Sequence, residues 1–191
     1  MTRTDVINRI AKKYGYKKYL EIGIQAGINF SSINIEDKTG VDPIPSRWTT
    51  HVLTSDSFFE FNTDTYNLIF IDGLHLSEQV YKDITNALKV LQDGGTIVCH
   101  DMLPITEESQ RYPQITTTWN GDCWKAWVRL RQKRKDLFMG VVDVDWGCGI
   151  IRLGNQELLA PILPEDLTFE NYIKNRQEWM NVMSLDEILV A

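Results

Sequence analysis

The sequence predicts an α/β fold in which a mostly parallel sheet of seven strands carries helices on both faces and ends in an antiparallel hairpin. Three observations lead to this prediction. Short apolar runs of strand length alternate with segments of helical periodicity along the first half of the chain. The run at residues 66–72 is largely apolar, which is typical of a central parallel strand that is buried on both faces. Near the other end, Asp145-Trp-Gly separates two apolar runs and predicts a hairpin.

Periodicity and glycine positions define the remaining elements. Helices are predicted at residues 4–15, 28–35, 77–91, 124–133 and 169–183. The other strands are predicted at residues 18–22, 38–42, 51–54, 96–100, 137–143 and 148–153. Gly94 and Gly95 are expected to end the long helix. We expect one domain over residues 1–191, with a candidate substrate lid at 103–123 and a helical tail at 155–191.

Composition narrows the partners of the chain. The net charge is −6 and the isoelectric point is near 5.1, which argues against nucleic acid and against an anionic membrane surface. No apolar run has the length of a membrane span. The three cysteines are odd in number and lack a C-x-x-C spacing, so reduced thiols and a cytoplasmic location are expected. A small molecule remains as the expected partner. The apolar face of the tail helix packs either on the sheet or in a homodimer, and both alternatives stay open.

Residues 19–30 combine a strand, a glycine turn and the start of a helix. They place Glu21, Gly23 and Gly27 in the pattern E-x-G-x-x-x-G, which lacks the third glycine of dinucleotide-binding loops. A turn that carries a carboxylate suits cationic or hydroxyl groups better than a pyrophosphate. Asp42 ends the next strand, as the carboxylate of a nucleoside-binding α/β unit does. S-adenosylmethionine has the ammonium, sulfonium and ribose diol that such acids suit.

Four polar residues follow two of the predicted central strands. They are Asp72, His75, His100 and Asp101. Because the carboxyl ends of parallel strands share one edge of a sheet, we expect these side chains to lie together. Two of the three histidines of the chain fall in this group, each near an aspartate.

Five segments together resemble a known family. They are Glu21-Ile-Gly-Ile-Gln-Ala-Gly27, Gly40-Val-Asp-Pro43, Thr54-Ser-Asp-Ser-Phe-Phe59, Phe70-Ile-Asp-Gly-Leu-His75 and Asp93-Gly-Gly-Thr-Ile-Val-Cys-His-Asp101. In this order they resemble a class I S-adenosylmethionine-dependent methyltransferase, from the branch that includes macrocin O-methyltransferase-like and cephalosporin hydroxylase-like proteins. The resemblance implies a Rossmann-like sheet and S-adenosylmethionine as the cofactor.

The resemblance also implies a role for each matching residue. Glu21 and Gly23 would line the methionine part of the cofactor, and Asp72 would lie next to the sulfonium. Gly27 would let the first helix approach the sheet closely.

The nucleoside part of the cofactor involves three further residues. Asp42 would accept hydrogen bonds from the ribose hydroxyls. Ser55 and Asp56 would lie near the adenine, with Asp56 as an acceptor for its amino group. An alternative from the residues alone is that Asp56 caps the helix that follows.

Asp72, His75, His100 and Asp101 admit three interpretations. In the first, Asp72 and Asp101 hold Mg²⁺ or Mn²⁺, as a resemblance to catechol O-methyltransferase-like enzymes implies, although Met102 stands where a third oxygen ligand is expected. In the second, His75, or else His100, takes the proton of an acceptor hydroxyl, and Asp101 orients this base. In the third, His75 caps the following helix and His100 is a structural residue at a strand end.

The resemblance implies O-methylation of a small hydroxylated acceptor, such as a sugar or a glycosylated metabolite. Arg111, Tyr112, Trp119 and Asn120 of the lid are candidates for binding a polar ring. Two alternatives stay open. One is an NAD-dependent oxidoreductase, which the missing third glycine disfavours. The other is a non-catalytic cofactor-binding module of the same fold, which Met102 supports.

Overall fold

One six-stranded sheet forms the centre of the protein, whose computed structural model describes residues 1–191. The strands are β1 (Lys18–Ile22), β2 (Asp37–Val41), β3 (Tyr66–Ile71), β4 (Leu91–Cys99), β5 (Leu137–Val142) and β6 (Cys148–Leu153). Along the sheet they follow the order β2-β1-β3-β4-β6-β5. Strands β1 to β4 run parallel, whereas β6 pairs antiparallel with β4 and with β5. The predicted α/β class and the antiparallel hairpin are confirmed.

Eight α-helices and one 3₁₀ turn surround the sheet. The helices are α1 (Arg3–Tyr14), α2 (Ile28–Ser32), α3 (Ser55–Phe61), α4 (Ser77–Val90), α5 (Glu107–Gln110), α6 (Cys123–Lys133), α7 (Phe169–Met180) and α8 (Leu185–Val190), and the turn is Pro164–Asp166. None of these helices combines the length and the apolar character that crossing a bilayer requires.

Helices cover both faces of the sheet because alternate residues of a strand point to opposite sides. On β3, Ile69 and Ile71 belong to the larger hydrophobic cluster, which includes residues of α3, α4, α6 and α7. Leu68 and Phe70 belong to the smaller cluster, with residues of α1, α2 and α8. All four side chains are buried, which explains the apolar run of this strand.

The predicted strand at residues 51–54 does not form, so the sheet has six strands rather than seven. His51 makes only an isolated bridge to Val41. Val52 and Leu53 are 52% and 37% exposed, so little of the structure packs against them. Because these side chains gain little burial, nothing favours a longer ladder at this edge of the sheet.

Gly94 and Gly95 lie within β4 and do not end α4, whose last residue is Val90. Gly94 has φ +72°, and a Cβ at Gly95 would lie 2.8 Å from the carbonyl oxygen of Asn67. The register between β3 and β4 shifts over this stretch. The two glycines therefore accommodate an irregularity in the β3–β4 ladder.

Two predicted helices are shorter than expected. The helix predicted at 28–35 ends at Ser32, and Ile33 after it is extended. The tail helix predicted at 169–183 is divided into α7 and α8. Asn181 ends α7 in the left-handed region at φ 49°, and the Ser184 side chain caps α8.

The strand order changes direction at β1, which lies between β2 and β3. The loops that leave β1 and β3 therefore diverge, and a crevice opens at the carboxyl ends of these strands. The candidate lid follows β4, contains the short helix α5 and leads into α6. It lies beside the same edge of the sheet.

Candidate active site

The loop between β1 and α2 approaches its neighbours more closely than any side chain would allow. Gly23 has φ +91°, and a Cβ there would lie 2.1 Å from the carbonyl oxygen of Asp72. Gly27 has φ +73°, and a Cβ there would lie 2.1 Å from the indole ring of Trp48. Both positions therefore require glycine. At Gly27 the close neighbour is Trp48, not the sheet that the sequence analysis expected.

A cleft of about 330 Å³ opens beside this glycine loop. Four residues of the predicted cofactor site line it: Glu21, Gly23, Gly27 and Asp72. The first turn of α1 and Asp145 complete its walls. The cleft therefore occupies the point of the sheet where an open α/β fold binds its ligand.

Glu21 lines the cleft but is only 1% exposed. The Tyr19 hydroxyl donates to Glu21 Oε2 at 2.5 Å, and Asn29 Nδ2 donates to the same oxygen at 2.9 Å. Burial raises the pKa of Glu21 to about 8 in spite of these two bonds. At neutral pH Glu21 therefore presents mainly a protonated, uncharged carboxyl group to the cleft.

The carboxylate of Asp42 holds the glycine loop in place. Its Oδ2 accepts the N–H groups of Ile24 and Gln25 at 2.8 and 2.9 Å, and its Oδ1 accepts that of Ile44 at 2.8 Å. These bonds occupy three of about four lone-pair directions. Asp42 is also absent from the lining of the cleft. Its binding of ribose hydroxyls stays a prediction, whereas its contact with the loop is a role that the sequence did not indicate.

Ser55 and Asp56 lie in the first turn of α3, outside the lining of the cleft. Gln79 Nε2 donates to Ser55 Oγ at 3.2 Å and to Asp56 Oδ1 at 3.0 Å. The cap of α3 is Thr54, whose side chain accepts the N–H of Ser57. The alternative that Asp56 caps this helix is therefore wrong, and its contact with adenine stays a prediction.

Asp72, His75, His100 and Asp101 lie together beyond β3 and β4, and we call them the acid–histidine cluster. His75 Nε2 is 3.2 Å from Asp72 Oδ1, and His75 Nδ1 is 3.3 Å from Asp101 Oδ2. His100 Nδ1 is 3.1 Å from Asp101 Oδ2 and 3.4 Å from Asp72 Oδ1. The interpretation of His75 as a helix cap is wrong, because α4 begins after Leu76 without a side-chain cap.

Two residues that the sequence analysis did not assign to the site contact this cluster. Arg3 Nη1 donates to Asp72 Oδ2 at 2.6 Å, and Arg3 Nε donates to Asp145 Oδ2 at 3.0 Å. Asp145 Oδ1 lies 3.8 Å from His100 Nε2. The sequence identified Asp145 only as part of a turn. It lies 142 residues from Arg3, so no local pattern indicates their pairing.

The lid contributes Trp119 and Asn120 to the surroundings of the cluster. Trp119 stacks on His75 with ring centroids 5.4 Å apart, and its carbonyl oxygen is 3.0 Å from His75 Nδ1. Asn120 Nδ2 donates to Asp101 Oδ1 at 2.6 Å, while Asn120 Oδ1 is buried without a partner. Asn120 is 1% exposed and so is not placed to bind an acceptor ring, whereas Tyr112 is 70% exposed.

Comparisons with known proteins show which family and which fold the chain resembles. Residues 29–102 match a family model described as a methyltransferase domain. The O-methyltransferase TomG of Streptomyces achromogenes, in complex with S-adenosylmethionine, shares 12% identity over 80% of each chain with a TM-score of 0.60. A methyltransferase of Podospora anserina bound to S-adenosylhomocysteine shares 14% identity over 80% of this chain and 78% of its own, with a TM-score of 0.58.

A third solved structure belongs to an O-methyltransferase of Bacillus cereus in complex with S-adenosylhomocysteine. It shares 12% identity over 81% of this chain and 82% of its own, with a TM-score of 0.55. No curated protein sequence matches the chain. Residues 29–102 therefore resemble a methyltransferase domain, and the chain shares its fold with solved methyltransferases. The class I methyltransferase resemblance and the enzyme class expected from the sequence are thereby confirmed.

The segment of this methyltransferase domain that matches the family model holds only part of the site. It contains Asp42 and the whole acid–histidine cluster. It contains neither the glycine loop, nor Arg3, nor Asn120 and Asp145. These flanking parts join the site only through the tertiary fold.

The charges of the acid–histidine cluster depend on one another. Burial acts to lower the pKa of His75, but the bond to Asp72 and the charge of Asp101 raise it above its usual value. The pKa of His100 is raised well above its usual value, because the charge of Asp72 and the bond to Asp101 outweigh burial. Burial acts to raise the pKa of Asp72, but His100 and His75 hold it well below its usual range. These contacts therefore favour the protonated form of both histidines relative to a free imidazole.

Proposed function

We propose that the protein transfers a methyl group from S-adenosylmethionine to a hydroxyl oxygen of a small acceptor. The observation that carries this proposal is the position of Asp72 between two sites. Its Oδ2 pairs with Arg3 in the wall of the cleft, while its Oδ1 lies against His75 and His100. A donor in the cleft and a hydroxyl group at the acid–histidine cluster would thus meet across one side chain.

The cleft suits the chemistry of this donor. Its volume of about 330 Å³ lies within the usual range for ligand sites. Glu21, Asp72 and Asp145 offer carboxyl groups to the ammonium and sulfonium of the donor. The guanidinium of Arg3 already lies 2.6 Å from Asp72, so this position accepts positive charge. The donor-bound structures with the same fold support the assignment.

S-adenosylmethionine, when bound, supplies an electrophilic methyl group, and the chain has to align the acceptor and take its proton. Of the two histidines, His75 is better placed to do so. Its side chain is 15% exposed beside the lid, whereas that of His100 is 1% exposed and surrounded by aspartates. Asp101 and the Trp119 carbonyl both lie close to His75 Nδ1, which favours a proton on that nitrogen and leaves Nε2 to act as the base. The stacked ring of Trp119 shields His75 from water on one side.

A divalent ion at the same cluster is the second mechanism that we propose. Asp72, His75 and Asp101 offer ligand atoms that all lie within 4.8 Å of one another. The unpaired, buried Oδ1 of Asn120 belongs to a side chain already bonded to Asp101, and it suits a cation. Met102 offers no oxygen and is 1% exposed in the larger hydrophobic cluster. Such an ion would lower the pKa of the acceptor hydroxyl, which makes a protein base unnecessary.

The two mechanisms balance the charge of the site in different ways. Asp72, Asp101 and Asp145 are opposed by Arg3 alone when both histidines are neutral. Two protonated histidines or one divalent ion would neutralise the remaining charge. A ligand set that mixes imidazole nitrogen with oxygens suits Mn²⁺ better than Mg²⁺.

The acceptor that we propose is a sugar or a glycosylated metabolite. Tyr112 and Trp119 of the lid have ring centroids 6.4 Å apart, and Tyr112 is largely exposed. An exposed and a half-buried aromatic ring near the base suit the apolar face of a sugar ring. Trp119→Ala should raise the KM for the acceptor while the affinity for S-adenosylhomocysteine stays unchanged; an unchanged KM would remove Trp119 from the acceptor site.

Calorimetry with S-adenosylhomocysteine tests the donor site. We expect micromolar affinity of the wild-type protein for S-adenosylhomocysteine. Asp72→Asn should bind S-adenosylmethionine, whose sulfonium needs this carboxylate, at least tenfold more weakly than wild type does. Asp64→Asn is the matched control, because Asp64 is an exposed acid that pairs only with Lys18. NAD should give no heat. Binding of NAD without binding of S-adenosylhomocysteine would favour the oxidoreductase alternative instead.

Mass spectrometry tests the transfer itself. The protein is incubated with S-adenosylmethionine and a set of sugars and glycosides, and the expected product carries one added methyl group. Binding of the donor without transfer to any hydroxylated compound would support the non-catalytic alternative.

Location and assembly stay predictions. A cytoplasmic location is in keeping with Cys99, Cys123 and Cys148, which are buried as free thiols. Cell fractionation tests the location, and light scattering tests whether the protein forms a homodimer.

A further inference from the structure

Arg3 occupies the part of the cleft that lies against Asp72. Its Nη1 donates to Asp72 Oδ2 at 2.6 Å, while Nε and Nη2 donate to the two oxygens of Asp145 at 3.0 and 3.3 Å. One guanidinium thus pairs with both ionised carboxylates in the wall of the cleft. A donor cation that approaches Asp72 has to share this oxygen with Arg3 or displace Arg3 from it.

The backbone that carries Arg3 is held in place. Thr2 and Asp5 form a capping box at the start of α1, and the N–H of Arg3 donates to Asp145 Oδ2 at 2.8 Å. Four apolar residues of α1 are buried in the core. The helix is therefore fixed, and only the long side chain of Arg3 is free to turn.

We propose that Arg3 determines how the cleft distinguishes a positively charged donor from its uncharged product. This inference rests on the proposed function, because it takes S-adenosylmethionine as the donor. The sulfonium of the donor carries a positive charge that the thioether of S-adenosylhomocysteine lacks. A guanidinium at Asp72 repels the sulfonium and competes with it for the same carboxylate, whereas the thioether makes no such demand.

Electrostatics sets the size of this discrimination. Two unit charges about 6 Å apart, at an effective dielectric constant of about 20, change an affinity by about 100-fold. Rotation of the Arg3 side chain toward solvent lowers the effect, since that side chain is 29% exposed. When the Arg3 side chain turns, its contact with Asp145 keeps the guanidinium close to the mouth of the cleft. A part of the repulsion between the guanidinium and the sulfonium therefore remains. We therefore set tenfold as the threshold for the test.

The test compares the affinities of the 191-residue chain for S-adenosylmethionine and S-adenosylhomocysteine by calorimetry. In Arg3→Gln the affinity for S-adenosylmethionine, relative to that for S-adenosylhomocysteine, should rise at least tenfold over wild type. Arg9→Gln is the matched control, because Arg9 lies on the same helix in an exposed pair with Asp186. Arg3→Lys keeps the charge and should keep the wild-type ratio.

Two results would overturn the proposal. One is a ratio that Arg3→Gln leaves unchanged, and the other is an equal loss of affinity for both ligands, which would make Arg3 an ordinary binding residue. Either result leaves the proposed function intact if the wild-type protein binds S-adenosylhomocysteine. If folded wild-type protein and folded Arg3→Gln bind neither ligand, the proposed function fails, and this inference fails with it.

A second measurement follows the side chain directly. The ¹⁵N NMR signal of the Arg3 Nε–H group is assigned by its loss in Arg3→Gln. It should shift when saturating S-adenosylmethionine is added and shift much less with S-adenosylhomocysteine. Equal shifts with both ligands would contradict the competition for Asp72.

Discussion

Glu21→Gln should change how the stability of the protein depends on pH. The wild-type carboxyl group is buried, and its two hydrogen-bond donors, Tyr19 and Asn29, both bond to Oε2. Glutamine has nearly the same shape, accepts the same two bonds and carries no charge at any pH. The substitution therefore imitates the protonated form of Glu21 and removes its titration.

The sign and size of the effect follow from the raised pKa. Glu21 has a pKa of about 8 in the folded protein, against 4.5 for an exposed glutamate. Below pH 4.5 both the folded and the unfolded chain hold the proton, so there is no penalty. Between pH 4.5 and 8 only the folded chain holds it, so the free energy of unfolding falls as pH rises. The full loss is about 5 kcal/mol at most, because each pKa unit corresponds to about 1.4 kcal/mol.

Urea denaturation between pH 5 and 8.5, followed by tryptophan fluorescence, measures this dependence. Glu21→Gln should resemble wild type near pH 5 and become progressively more stable than wild type as pH rises. The raised pKa values of His75 and His100 also favour the folded state more at low pH. Both proteins share that contribution, so the difference between them isolates Glu21. Glu78→Gln is the control, since the Glu78 side chain is 81% exposed.

Parallel stability curves for wild type and Glu21→Gln would refute this reasoning. They would mean that Glu21 is ionised in the folded protein at neutral pH. A constant loss of stability in the variant would show that the amide cannot replace the carboxyl group in its hydrogen bonds.

Three further predictions concern the site. His75→Gln should lower the transfer rate by about 100-fold or more while the affinity for S-adenosylhomocysteine stays unchanged. The wild-type rate should rise with pH through a pKa above the usual 6.5, because the base has to be neutral. A rate that does not depend on pH would contradict this role. Gly23→Ala should lower the free energy of unfolding in urea by about 3 kcal/mol or more, whereas Gly94→Ala, at a similar φ but in open space, should lower it by about 1 kcal/mol. Equal losses would contradict the close contact of Gly23 with the Asp72 carbonyl. Asn120→Ala should weaken the binding of Mn²⁺ measured by calorimetry about tenfold, whereas Asn155→Ala, at an exposed position, should leave it unchanged. If the wild-type protein does not bind Mn²⁺, only the histidine mechanism remains.

Local patterns in the sequence were sufficient for most of the sheet. Strands such as β3 are buried on both faces, so their apolar runs are long enough to recognise without an alignment. The acid–histidine cluster was predictable for a topological reason, because residues that follow neighbouring parallel strands meet at one edge. Residues 51–54 failed because their apolar side chains resemble those of a strand, whereas the edge of the sheet offers them little to cover.

The rest of the site depends on contacts that no periodicity encodes. Asn120 lies in the irregular stretch between α5 and α6, and it bonds to Asp101 only once the lid has packed. Met102 suggested that an oxygen ligand was missing, but the position of Asn120 depends on tertiary structure. The same holds for Glu21, whose charge state is set by its surroundings rather than by its identity.

The pairing of Arg3 with Asp145 has a consequence for the order of events during synthesis on the ribosome. Residue 3 emerges early, whereas residue 145 follows after 142 further additions. At about 5–20 residues per second this interval lasts roughly 7 to 30 seconds. A nascent chain therefore lacks one wall of its donor pocket throughout this time, even if β1 and its glycine loop are already in place. We expect that S-adenosylmethionine cannot assist the folding of the segments made before residue 145 and encounters a complete pocket only after that residue has left the ribosome.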